Sequence, residues 1–482
     1  VRDGRVDRIS RWVGRTVSAG MVVVLGILLG QQYVEPNKRV LPVMAAVVIA
    51  GLAWRLDLVT SICVMIFLLP YPRGTTFGTT NIALALLVAI VWLVNSSLGR
   101  APAPRRSPVD MPLVGLVIMY ICSFYNITDP VSLAGALPNL EVFLASVLCF
   151  YVIIANVNST KALEKVHLAQ VLCALSVFLL GIYELGHAGT SIAGGWINFA
   201  GSTGAGAGEE FGRHNVRIGS AFGDYELLSE FCVLTLLQAG FLWVRATTKL
   251  RRGLLTAFLV FNLFVLFATV TRGAVVSLAI GLLTILWTTR RRVHFVPLVI
   301  GVTVFLTLFI GMNYYVANFT NSGDMFARLS QTKFEGGVPD NRVGTWAPAL
   351  ARAMKHPWIG HGPYYVMNLE LGMLWPHNIY LFYASTVGFI GMGFFLLILL
   401  GFARITAPTV DDLRHADYAR AFQIITQAQF VAFIVNETKI DYLRNSIYQT
   451  VVWAMFSLWV ATYYVARRNQ AAEVSARTSP AR

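Results

Sequence analysis

Asp340 to Met392 reads DNRVGTWAPALARAMKHPWIGHGPYYVMNLELGMLWPHNIYLFYASTVGFIGM. The first two thirds mix Asp, Arg, Lys, Trp and His, and the last third runs without a break into an apolar helix. Charge beside lipid has to be solvated or paired, so such a segment belongs where a water-facing loop meets the bilayer. His377, in Pro376-His377-Asn378, sits at that junction.

The rest of the chain explains why this stretch stands out. Of 482 residues, 56% are hydrophobic and 13% are charged, and the mean hydropathy is +0.63. A soluble domain carries about 25% charged residues. Apolar runs near the bilayer span of about 20 residues recur from end to end. They predict an all-α polytopic membrane protein with 12–14 transmembrane helices, the first a retained signal anchor. The five cysteines all fall inside apolar runs without a CxxC pair, which marks them as packing residues.

With the N-terminus placed in the cytoplasm, about 25 of the 38 Lys and Arg fall on the inner side. That bias accounts for the net charge of +14 without a nucleic-acid partner, since no basic stripe with interleaved aromatics is present. The expected layout is a cytoplasmic basic arm over 1–16, then a bundle of about eleven spans over 17–317 with an outer loop at 187–222. A large outer loop follows over 318–378, then the last spans over 379–467 and a cytoplasmic tail over 468–482. Both termini are then cytoplasmic and the long loops face the periplasm.

The long second loop is expected to hold an amphipathic helix on the outer surface. Asp340 is its candidate N-cap, Trp346, Leu350 and Met354 line one face, and Pro357 closes it. The chemistry gathers on this same side. Arg213, His214 and Arg217 end the first loop, and Arg272 stands at a tight hairpin tip followed by Gly273. Arg342, His356, His361 and His377 lie in the second loop, and Glu437, Lys439, Asp441 and Arg444 occupy the last outer turn.

Each of these has an ordinary use. Arg272 could snorkel to the interface, Arg217 could pair with Asp224 and Glu226, and His377 could be a hydrogen-bonded interfacial histidine. The chemical use is that guanidinium binds phosphate through a two-pronged fork, and that imidazole suits general-base work near neutral pH. Gly204 to Gly208 neither follows a strand nor opens a helix, so it is no phosphate loop. The histidines and acids lack metal-ligand spacing such as HExxH, so neither metal nor cofactor is expected.

Four fragments, taken in order, resemble the O-antigen ligase/polymerase family of bacterial membrane glycosyltransferases. They are Arg217-Ile218-Gly219-Ser220-Ala221-Phe222; Thr271-Arg272-Gly273-Ala274; Asn341-Arg342-Val343-Gly344-Thr345-Trp346 with Pro357-Trp358-Ile359-Gly360-His361-Gly362; and Pro376-His377-Asn378 with Gly388-Phe389-Ile390-Gly391. The family pattern departs at one point, where its usual Ser before Arg is absent and Thr271 directly precedes Arg272. The resemblance implies a GT-C-type bundle that passes a glycan from a polyprenyl-diphosphate carrier to a lipid- or glycan-linked acceptor. It implies catalysis by His377 and diphosphate binding by Arg217 and Arg272. Arg342, Asn378, Trp346, His361 and Arg213 then support the site. The acceptor stays open between lipid A core, a second lipid-linked glycan and a protein hydroxyl. A transporter or flippase is the competing class; it would place ionisable groups at mid-membrane on broken helices.

Overall fold

The computed structural model describes residues 57–71, 74–75, 78–187, 191–192, 197–198, 217–292, 295–320, 324–330, 334–335, 338–339, 342–365 and 375–478. The basic arm, the first two expected spans, Arg213 and the Gly204 to Gly208 run lie outside the described residues, as does Asp340.

Helices dominate. In chain order they are α1 (Leu58–Leu68), α2 (Thr80–Ser97), α3 (Asp110–Cys122), α4 (Pro130–Asn156) and α5 (Thr160–His187), then α6 (Tyr225–Val244), α7 (Lys249–Ala268), α8 (Arg272–Thr289) and α9 (Phe295–Phe319). The short α10 (Met325–Ser330) and α11 (Val343–Lys355) follow, then α12 (Ile379–Thr386), α13 (Gly388–Thr406), α14 (Tyr418–Asn436) and α15 (Ser446–Thr478). Among the described residues, seven helices are long and apolar enough to cross a membrane: α4 to α8, the Val302–Phe319 part of α9, and α13. The chain is a multi-pass membrane protein.

Side-chain caps start several helices where the sequence supplies an acid, an amide or a hydroxyl. Asp129 accepts from the Ser132 amide ahead of Pro130, Asp224 from Glu226 and Leu227, Asn378 from Tyr380 and Leu381, and Asp417 from Ala419 and Arg420. Each satisfies amides that the helix cannot, a gain of about 1 kcal/mol.

The connections between helices gather at two ends. At one end Arg245 donates to the carbonyls of Arg414 and Ala416, and Arg292 lies 3.4 Å from Asp411. At the other, Ile218 reaches the Ala268 carbonyl, Ile379 the Glu437 carbonyl and Asn445 the Phe222 carbonyl. That second end holds every candidate residue that the structure describes.

The bundle interior is more polar than the apolar runs suggest. Gln238 donates to the His167 carbonyl, Gln429 to the Leu234 carbonyl, and Asn262 to Thr235 and to the Cys232 carbonyl. These bonds run between helices, where a polar side chain acts as a lock.

The amphipathic helix of the second loop is α11. Ala349 and Ala353 are fully buried, while Leu350 and Met354 are 46% and 62% exposed. Its small residues therefore face the protein and its large apolar ones face outward. Arg352 and Lys355 fall in its last turn, where the helix dipole favours cations.

Candidate active site

Five connections converge at the site end. The segment from Arg217 to Asp224 enters α6, and the Thr269–Thr271 turn joins α7 to α8. Arg342 precedes α11, Trp375–Asn378 precede α12, and the 437–445 turn joins α14 to α15.

The first connection is cradled by backbone contacts. Glu184, near the end of α5, accepts from the amides of Gly219 and Ser220 at 2.9 and 2.7 Å. Arg217 is 8% exposed. Its Nε donates to the Thr269 carbonyl at 3.0 Å, and one Nη donates to the Val270 carbonyl and the Thr271 hydroxyl at 3.2 and 3.3 Å. The guanidinium also lies 3.2 Å from the centre of the Tyr225 ring. Arg217 thus braces the turn that presents Arg272. Asp224 and Glu226, its possible ion partners under the ordinary reading, pair with Arg444 and Arg342 instead.

Arg272 is half-buried at the first position of α8. Beside it, Gly273 presents its bare Cα to Asn436 and Lys439, which a Cβ would meet at 3.4–3.5 Å. This brings the Arg272 turn against the 437–445 turn, the element that also holds His377.

His377 has φ +46, a left-handed conformation that costs a non-glycine residue about 1–3 kcal/mol. Its neighbours hold it there. Asn378 caps α12 and donates to the Thr438 carbonyl at 3.1 Å. Arg342 donates to the carbonyls of His377 and Lys439. The imidazole is 34% exposed, and its Nδ1 points inward, 2.9 Å from Arg444 Nη1 and 3.5 Å from Glu226 Oε2.

Arg444 is the hub of this cluster. It sits 2.6 Å from Asp224 Oδ1 and 2.8 Å from Glu226 Oε2, while Arg342 reaches Glu226 Oε1 at 3.4 Å. Burial opposes the charge on Arg444, but Asp224, Glu226 and Asp441 outweigh it and hold the proton above the ordinary arginine range. Burial pushes the Asp441 carboxyl up to about 6, against the pull of Arg444 and of the Trp375 indole N–H that it accepts. Burial likewise raises Glu437, with Glu230 and Asp441 adding like-charge repulsion.

The remaining candidates are structural neighbours. His361 Nε2 lies 2.8 Å from the Arg352 carbonyl, and burial pushes the ring down to about 4, so it stays neutral. Trp346 lies one turn into α11, its indole N–H buried without a hydrogen-bond partner among the described residues. Pro357–Gly362 docks on the α12–α13 junction. Phe389 donates to the Pro357 carbonyl at 2.7 Å, His361 to Ser385 at 3.1 Å and Gly362 to Thr386 at 3.0 Å. Gly360 and Gly388 both have positive φ and meet the opposite backbone so closely that a Cβ on either would come within 2.3 Å of a carbonyl oxygen. Two of the sequence fragments are thus the halves of one joint.

The structure therefore brings His377, Asn378, Arg342 and Arg272 around one turn, with Arg217 beneath. Sequence reasoning placed Asp224, Glu226 and Arg444 nearby without seeing that they face His377. The available signal was four charged residues, Glu437 to Arg444, packed between two apolar helices.

With this geometry in place, comparison with known families is decisive for one stretch. Residues 257–396 match the O-antigen ligase family. Over that stretch the chain is similar to the O-antigen ligase family. The matched region runs from within α7 to within α13, and so takes in Arg272, Arg342, His377 and the glycine joint. No curated protein matches the chain.

Proposed function

We propose that the protein is an inverting glycosyltransferase that moves a glycan from a polyprenyl-diphosphate carrier onto an acceptor hydroxyl at the outer face of the inner membrane. The observation that carries this reading is the placement of His377. It is partly exposed, strained into position and anchored through Nδ1, beside a turn that presents Arg272.

Nε2 of His377 takes the proton of the acceptor hydroxyl as that oxygen attacks the anomeric carbon. The bond from that carbon to the diphosphate breaks, and its electron pair leaves on the phosphate oxygen. Attack from the face opposite the leaving group inverts the anomeric centre. Arg272 stabilises the charge growing on the diphosphate, which is where fixed positive charge lowers a barrier most. Arg217 contributes by holding the Arg272 turn. Guanidinium groups supply the positive charge, so the reaction is read as metal-independent. The outward Leu350, Met354 and Trp358 side chains rest against the bilayer edge beside the carrier's prenyl chain. Both termini are then cytoplasmic.

Ligase, polymerase and protein-directed transfer share this chemistry and differ in acceptor. The test is purified protein in lipid nanodiscs with a defined polyprenyl-diphosphate oligosaccharide. One block on a lipid core marks a ligase, a ladder on the carrier a polymerase, and glycan on protein an O-oligosaccharyltransferase. His377→Ala should abolish transfer and leave donor binding within about threefold, as loss of a group needed only in the transition state does. Near-normal turnover in that variant would remove the base assignment.

A further inference from the structure

We propose that Glu226 is the positioning residue that sets the working tautomer of His377. The inference rests on the reading of His377 as the base.

A neutral imidazole carries one proton and offers one lone pair. Nδ1 points into the charged cluster, so Nε2 is the nitrogen left to meet an acceptor hydroxyl. Nε2 can take a proton only if the ring's own proton is on Nδ1. An arginine has no acceptor to offer, so the 2.9 Å contact with Arg444 Nη1 suits an unprotonated Nδ1, the wrong tautomer for a base. The group that can accept from Nδ1–H is Glu226 Oε2, at 3.5 Å.

Three features favour that use of Glu226. Its Oε2 is buried and, among the described residues, has no hydrogen-bond partner of correct geometry, although Arg444 Nη1 stands 2.8 Å away. Nδ1–H would add a charge-assisted hydrogen bond to that ion contact. Its Oε1 is engaged by Arg342, which steadies the carboxylate, and the N-terminus of α6 favours the negative charge. Arg444 meanwhile keeps Asp224 at 2.6 Å, so it loses little when Nδ1 turns to Glu226.

Nδ1 lies 2.9 Å from Arg444 Nη1 and 3.5 Å from Glu226 Oε2, so both contacts are within reach of the same nitrogen. Once Nε2 has taken the acceptor's proton, Glu226 faces an imidazolium and stabilises it, as the third member of a nucleophile–base–acid triad does. The charged groups around the ring are Glu226 and Asp224 from the start of α6, Arg444 and Asp441 from the turn before α15, and Arg342 before α11.

The test compares wild type, Glu226→Gln, Glu226→Asp and His377→Ala, full-length in nanodiscs, with the polyprenyl-diphosphate oligosaccharide as donor. Glu226→Gln should lower kcat by about 10²–10⁴-fold, with the donor KM within about threefold. Glu226→Asp should recover part of the rate. A kcat within threefold of wild type, or a fall in kcat that Glu226→Asp does not partly recover, overturns the assignment to Glu226 and leaves the base reading standing. Turnover in His377→Ala overturns both. Independently of any variant folding, ¹⁵N-histidine NMR of donor-loaded wild type should show His377 protonated on Nδ1, and a proton on Nε2 alone overturns the proposal.

Discussion

Gly388→Ala isolates the joint that docks the second loop onto the bundle. Gly388 has φ +77, and a Cβ there would lie 2.3 Å from the Trp358 carbonyl oxygen. The left-handed conformation alone costs an alanine about 1–2 kcal/mol. The clash is with backbone, so relief requires the two segments to part. That weakens the Phe389, His361 and Gly362 amide bonds across the joint, each worth about 1 kcal/mol. A total near 3 kcal/mol lowers the free energy of local opening by the same amount, which raises amide exchange about 10²-fold at 1.4 kcal/mol per decade. Hydrogen exchange read by mass spectrometry, on peptides covering 357–362 and 385–391, makes the measurement. Gly393→Ala is the control, since nothing lies within 4 Å of its would-be Cβ. If protection of those peptides in Gly388→Ala stays within threefold of wild type, the joint does not hold the loop and the reasoning is wrong.

Two further outcomes are expected. Arg272→Lys should reduce transfer at least tenfold, because an ammonium cannot reproduce the guanidinium fork; radiolabelled-glycan transfer checks it, and full activity would mean the residue only snorkels. Asp441→Asn should flatten the pH dependence of stability. Burial raises this carboxyl from 3.8 to about 6 in the fold, so its stabilising contribution is complete below pH 3.8 and is lost as pH rises through about 6. About two pKa units correspond to roughly 2–3 kcal/mol, so wild type should lose Tm relative to the variant between pH 4 and 7, and equal slopes would refute this.

The sequence made the helical class and the crowding of charge on one side legible because both are carried by composition and by spacing along the chain. Contacts made by backbone were not legible. Arg217 looks like an anion-binding arginine by type and position, but its fork is occupied by the carbonyls of Thr269 and Val270, which no side-chain pattern announces. The partners of His377 were hidden differently. Glu226 lies 151 positions earlier in the chain and belongs to another helix, and only the packing of the 437–445 turn between them closes the distance. The fragments at Pro357–Gly362 and Gly388–Gly391 were visible as motifs. That they form one joint depends on two left-handed glycines approaching each other, which spacing alone cannot express.

Among the described residues, three that are not glycine hold left-handed backbone: Ser220, Val270 and His377. All three lie at the site end, and for the β-branched Val270 the conformation is a genuine outlier. Their shapes are set by the folded bundle. In the proposed transfer, a donor would meet groups already aligned, with little of its binding energy going into ordering loops. The entropy of assembling the site is settled once, when the chain folds, and not again at every turnover.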